Sequence, residues 1–197
     1  MSVRHQITEQ NGLFFITFTC ARWLPLFAIT NTYDAVYKWF DYLKQQGHYV
    51  VGYVIMPNHL HTMIAFSQTD KNINTIVGNG KRFMAYEIVK QLKLQEKTDI
   101  LTQLSNWVNN TDRKRNKQHE VFEPSFDCKE CKGNDFINQK LNYIHNNPCR
   151  YNPILANAPE EYIHSSAGQY IGINDVKYSV TTYAALQDIG LTTTNDK

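Results

Sequence analysis

The chain has 197 residues and a mass of 22.9 kDa, with 42% hydrophobic and 13% aromatic residues. That is enough to bury a sizeable core and too apolar for a disordered chain. Twenty basic residues against 18 acidic ones leave a net charge of +2, which excludes a histone-like polycation while allowing a local basic groove.

Leu13 to Cys20 is rich in β-branched and aromatic residues and reads as a strand. Arg22 to Phe27, interrupted by Pro25, reads as a loop. Asn31 or Thr32 can cap a helix from Tyr33 to about Gln46, stopped by Gly47. Tyr49 to Met56 and His59 to Phe66 read as two strands joined at Pro57-Asn58. Lys71 to about Leu94 is helical, with a break expected at Gly78-Asn79-Gly80. Glu96 to Gln118 is polar and reads as a mobile connection, Val121 to Glu123 as a short strand, and Gly133 to Asn147 as a helix ended by Pro148. Strand, helix, strand, strand, helix, strand, helix fits an α+β, ferredoxin-like (RRM-like) antiparallel sheet with helices gathered over one face.

No apolar run approaches the roughly 18 residues that span a bilayer, so no membrane partner is expected. The start, Met1 to Asn11, lacks the apolar stretch of a secretory signal. Cys20, Cys128, Cys131 and Cys149 are too irregularly spaced for a disulfide framework, and a reducing cytoplasm is the expected compartment. Cys128-Lys129-Glu130-Cys131, without a second pair, reads as two loop cysteines.

Three constellations could carry chemistry. His59 and His61, two residues apart on a strand, project from one face, with Leu60 turned the other way. They could share a divalent metal, or simply be two histidines on a half-exposed strand. Tyr143 and Asn147 lie one helical turn apart, so a phenol and an amide could address one site. A tyrosine nucleophile conserves phosphodiester energy in a phosphotyrosine bond, and the alternative is a tyrosine packed at a helix end. Arg113, Lys114, Arg115 and Lys117 form the densest basic cluster, with Lys81 and Arg82 elsewhere; these could meet phosphates or form a solvated face.

Taken together, these fragments resemble one family. Gly52-Tyr53-Val54-Ile55-Met56-Pro57-Asn58-His59-Leu60-His61 resembles the HUH segment of IS200-like tyrosine transposases, in the branch containing the REP-associated tyrosine transposases. Thr17 to Thr19 with Arg22 and Pro25-Leu26-Phe27 resembles the family's opening strand and loop, and Phe122 to Phe126 the stretch before its catalytic helix. Lys140-Leu141-Asn142-Tyr143-Ile144-His145-Asn146-Asn147-Pro148 resembles that helix. Tyr162, Ser165-Ser166-Ala167 and Tyr170 resemble the C-terminal signature, and the matches are collinear from about residue 13 to 170.

The resemblance implies an HUH endonuclease fold over residues 1–170 and a C-terminal extension over 171–197. It makes His59, His61 and Asn147 ligands of a divalent metal, Mg²⁺ or Mn²⁺, and Tyr143 the nucleophile that forms a 5′-phosphotyrosine intermediate. The implied activity is nicking and strand transfer of single-stranded DNA with hairpin ends, contacted by Arg113, Lys114, Arg115, Lys117, Lys81 and Arg82. Members of the family act as homodimers or as monomers. Two rival expectations remain: a host-adopted hairpin-binding protein, and a metal-dependent phosphodiester hydrolase in which water attacks and Tyr143 is structural.

Overall fold

The computed structural model describes residues 11–67 and 71–189. The strands are β1 (Gly12–Thr19), β2 (Tyr49–Ile55), β3 (His59–Phe66) and β4 (Asp127–Glu130). The α-helices are α1 (Leu26–Thr30), α2 (Tyr33–Gln45), α3 (Ile73–Leu94), α4 (Thr98–Asn106), α5 (Asn110–Arg113), α6 (Asn134–Arg150), α7 (Ala167–Tyr170) and α8 (Tyr183–Gln187), with 3₁₀ turns at Ala21–Trp23 and Pro159–Glu161. The strands form one antiparallel sheet in the order β2-β3-β1-β4, the ferredoxin-like arrangement expected.

Strand alternation divides the interior in two. Phe14, Ile16 and Phe18 of β1 and Leu60, Ile64 and Phe66 of β3 face a core completed by Phe40 and Leu43 of α2 and Val77, Met84 and Ile88 of α3. Leu13 and Phe15 of β1 and Met63 and Ala65 of β3 face a second core completed by Ile137, Leu141 and Ile144 of α6. The helices therefore cover both faces of the sheet, instead of gathering on one.

Other local expectations are also corrected. α3 runs unbroken through Gly78-Asn79-Gly80, because Gly80 lies under the Trp39 ring and any Cβ there would collide with it. The glycine serves close packing between α2 and α3, not a break. Between Arg22 and Phe27 the chain forms a 3₁₀ turn and the start of α1, and within Glu96 to Gln118 it forms α4 and α5. The fourth strand lies at Asp127–Glu130, so Cys128 is a strand residue paired with Ile16, whereas Phe122 makes only an isolated bridge to Cys20. α6 continues past Pro148 to Arg150. A proline near the last turn removes one N–H without stopping the helix.

The outer edge of β2 is covered by later chain, which blunts an otherwise open sheet edge. Ile55 N–H donates to His164 O at 2.9 Å and Ser166 N–H to Tyr53 O at 3.0 Å. Tyr162 and Tyr170 hydroxyls donate to Ile55 O and Val51 O at 2.9 and 2.7 Å. Further on, Thr181 N–H reaches Val50 O at 3.0 Å and Tyr178 stacks on Tyr37 at 5.2 Å. Among the described residues no helix is long and apolar enough to cross a membrane.

Candidate active site

Register brings the histidines to β1. His61 lies opposite Thr17 and His59 opposite Thr19, and all four project toward the α6 side of the sheet. The two imidazoles meet at 4.6 Å between ring centroids, and both are buried. Each has its Nδ1 engaged: His59 Nδ1–H donates to Asn58 Oδ1 at 2.7 Å, and His61 Nδ1 lies 2.7 Å from Thr17 Oγ1. Asn58 Oδ1 can only accept, so the neutral His59 ring keeps Nε2 bare. In the Nδ1–H tautomer of His61, Thr17 accepts and Nε2 is bare as well. Partners that fix the tautomer of a ligating histidine are a regular feature of metal sites.

Burial pushes His59 down to about 4, against which the nearby Asn147 side chain acts. Burial pushes His61 down to about 3, with smaller contributions from His59 and the Lys140 ammonium. Both imidazoles are thus neutral near pH 7, the form that donates to a metal.

α6 supplies the other half. It crosses the sheet at Gly52, where a Cβ would stand 2.7 Å from Leu141 Cδ2, so the glycine sets how closely the helix approaches β2. His145 locks the same contact through a 2.9 Å hydrogen bond between Nε2 and Ser166 Oγ. Tyr143 then lies with its ring 5.0 Å from His61 and 6.0 Å from Phe15, edge to face, and is 44% exposed. Asn147, still helical despite the following proline, stands near enough to His59 to favour its protonated form. Asn146 points elsewhere, donating to Asn142 O at 2.8 Å. The structure therefore gathers His59, His61, Tyr143 and Asn147, residues up to 88 positions apart in the numbering, into one place.

Two imidazoles and an amide suit Mn²⁺, whereas Mg²⁺ favours oxygen shells, and either ion would fill its remaining positions with phosphate or water oxygens. Among the described residues no group of three or more His, Cys, Asp or Glu is placed to hold a metal, so a third protein donor here would be an amide or hydroxyl, such as Asn147.

Four residues around this centre were not legible as site residues from sequence. Lys140, one turn before Tyr143, places Nζ 4.8 Å from the Phe15 ring, 5.3 Å from Phe136 and 5.8 Å from Tyr143. No carboxylate among the described residues pairs with it. Thr17 orients His61, the Tyr151 ring lies 6.4 Å from His59, and the Trp23 ring lies 5.6 Å from His59. Only the i, i+3 spacing of Lys140 and Tyr143 could have signalled one of them.

The basic residues separate into two groups. Lys81, Arg82, Arg115 and Lys117 line one cleft between α3 and the segment leading to β4, together with Lys90 and Lys129. Arg113 and Lys114 are exposed outside its lining, and Arg113 donates to Ser105 O at 2.7 Å. Within the cleft, Lys81 holds the chain by donating to Glu123 O and Ser125 O at 2.7 and 3.2 Å, and Lys117 pairs with Glu120 and Asp112. Arg82 and Arg115 project into solvent.

A sheet of this order, with paired histidines on a central strand and a tyrosine on the helix across from them, is an α+β, ferredoxin-like arrangement. No protein-family model and no curated protein matches the sequence. Among solved structures, the chain is similar to that of a REP-associated tyrosine transposase bound to a REP hairpin. The TM-score is 0.55 and the identity 14%, over 91% of this chain and 92% of that one. It is also similar, at TM-score 0.40 and 13% identity over 74% of this chain and 96% of that one, to a candidate transposase from Deinococcus radiodurans. The chain shares the fold of the REP-associated tyrosine transposase.

Proposed function

We propose that the protein is a DNA strand transferase of the REP-associated tyrosine transposase kind, acting on single-stranded DNA beside a hairpin. The observation that carries this reading is the placement of the Tyr143 ring 5.0 Å from that of His61, with Asn147 of the same helix near His59. The phenol is half exposed beside two buried, neutral imidazoles, so a phosphodiester could reach both from solvent.

In the proposed reaction Tyr143 Oη forms a bond to phosphorus and the bond from phosphorus to the 3′ oxygen breaks. The products are a 5′-phosphotyrosine and a free 3′-hydroxyl that takes up a proton; attack by another 3′-hydroxyl reverses the step on a new strand. His59, His61 and Asn147 would hold a divalent ion, which when bound supplies Lewis-acid polarisation of the phosphate. Lys140, a cation without a carboxylate partner among the described residues, would neutralise a non-bridging phosphate oxygen as charge develops. Gly52, Leu141 and the His145–Ser166 bond position the tyrosine helix. A single chain contains the histidines and the tyrosine together, so a monomer would suffice. The fold neighbour's hairpin makes hairpin-bearing DNA the natural first substrate.

The test mixes the protein with labelled single-stranded hairpin DNA and Mn²⁺ and looks for a protein–DNA adduct on a denaturing gel. An adduct in wild type that disappears entirely in Tyr143→Phe and His59→Ala is the expected result. Cleaved DNA that survives Tyr143→Phe would replace this reading with a hydrolase, and hairpin binding without cleavage would replace it with a binding protein.

A further inference from the structure

We propose that Trp23 is a stacking platform for one unpaired nucleobase next to the reacting phosphate. The proposal rests on the strand-transfer reading for its choice of ligand, and on the following geometry for its location.

Trp23 is 62% exposed, whereas Trp39 is buried and Trp107 half-buried. Its position is imposed by the chain. Arg22 and Trp23 have φ angles of 49° and 60°, two successive side-chain-bearing residues in the left-handed region. Such residues persist only where their surroundings over-determine them, and they concentrate at functional sites.

The surroundings here do so from several directions. Arg22 N–H donates to a Glu123 carboxylate oxygen at 2.8 Å, and the Arg22 guanidinium lies 4.7 Å from the centre of the Trp107 ring. Asn58 Nδ2 donates to Trp23 O at 3.2 Å, while the Oδ1 of the same amide holds His59. One asparagine thus ties the tryptophan backbone to the proposed metal ligand. The two rings meet at 69° with centroids 5.6 Å apart, so the imidazole does not stack over the indole.

A turn that fixes its backbone this firmly, and then leaves a large planar side chain in water, is arranged for a partner of matching shape. Around the exposed indole stand the polar or cationic groups Arg22, Asn58 and His59. A nucleobase on a charged backbone matches that combination. Base–aromatic stacking is worth enough to shift affinity by roughly tenfold or more per base and does not depend on the identity of the base.

The experiment uses the full-length chain and a hairpin-bearing single strand in which an abasic site is stepped along the unpaired stretch. Binding is followed by intrinsic tryptophan fluorescence and by a label on the DNA. Wild type is expected to be quenched on binding and to lose about tenfold or more in affinity at one abasic position. Trp23→Ala should lose the quenching, bind intact DNA as weakly as wild type binds that abasic strand, and show no further loss there. Trp23→Phe should restore most of the affinity.

A quenching signal and an abasic profile that are unchanged in Trp23→Ala would overturn the platform. The two proposals fail separately. Adduct formation with a Trp23-independent profile removes the platform and leaves strand transfer. A Trp23-dependent base in a wild type that forms no adduct removes strand transfer and leaves the platform. Failure to bind any hairpin strand overturns both.

Discussion

On β3, Leu60, Ile64 and Phe66 point into the layer formed by α2 and α3, while His59, His61 and Met63, one residue out of phase, point toward α6. β1 repeats the division: Phe14, Ile16 and Phe18 go one way, and Leu13, Phe15 and Thr17 the other. The first face carries two long helices and aromatic packing such as Phe18 against Phe122 at 5.3 Å. The second carries a single long helix, α6, and its end near Thr17 and Thr19 holds the buried polar side chains of His59 and His61. Because each imidazole there has a hydrogen-bond partner, burying it is tolerable. In the proposed reaction, one sheet thus separates stability from chemistry by the strand's period of two. The cost of placing histidines in a core falls on the face that needs them.

The sharpest way to break this comparison is to truncate adjacent residues of the same strand. Leu60→Ala removes a fully buried side chain from the α2–α3 face and should cost about 2–5 kcal/mol in denaturant unfolding. His61→Ala removes a desolvated imidazole from the other face and should change metal-free stability by no more than about 1 kcal/mol, since it leaves only Thr17 to rehydrate. Wild type and Leu60→Ala should both gain thermal stability from Mn²⁺, by mass action on a folded-state site, and His61→Ala should not. If His61→Ala unfolds as readily as Leu60→Ala, the second face is ordinary core and the division fails.

A smaller effect sharpens the comparison at the contact between helix and sheet. Gly52→Ala forces a Cβ against Leu141 and should cost roughly 1–3 kcal/mol, with a fall in adduct yield because Tyr143 rides on the displaced helix. Gly78→Ala, on α3 with nothing within 4 Å of the new Cβ, should be neutral or stabilising by about 0.5–1 kcal/mol and leave the yield unchanged. Equal stability losses from both would show that Gly52 is not a packing glycine.

These two glycines also mark how far the sequence could be read. The strand bearing His59 and His61 was legible as an apolar run, the tyrosine helix from its 3.6 period, and the ferredoxin-like sheet from the order of the elements. The role of Gly80 was not, because a glycine that admits Trp39 looks in sequence like a glycine that ends a helix. β4 was missed because an edge strand of alternating exposed residues, Asp127-Cys128-Lys129-Glu130, carries no apolar signal, while Val121-Phe122 does. In the site, the pairing of Tyr143 with Asn147 follows from helical spacing, and their approach to His59 and His61 was suggested by the family resemblance alone. Trp23 and Thr17 were out of reach of either: one is defined by exposure and the other by register between strands.

The smallest effect asks whether the structural face also helps to bind. The cleft beside α3 lies on that side of the sheet, and two of its cations, Lys81 and Lys117, are already engaged by protein groups. Arg115 is exposed and lines the cleft, so its guanidinium is available to a phosphate. A contact of this kind releases counterions on binding, and its loss should lower the slope of log affinity against log salt by about 0.7 for a single strand. Arg115→Gln should therefore weaken hairpin-strand binding a few-fold at low salt, with the two proteins converging as salt rises. Lys114→Gln, outside the cleft, should leave the slope unchanged. A slope that responds equally to both substitutions would mean that diffuse charge, and not the cleft, meets the DNA. The α2–α3 face would then be left with stability as its only role.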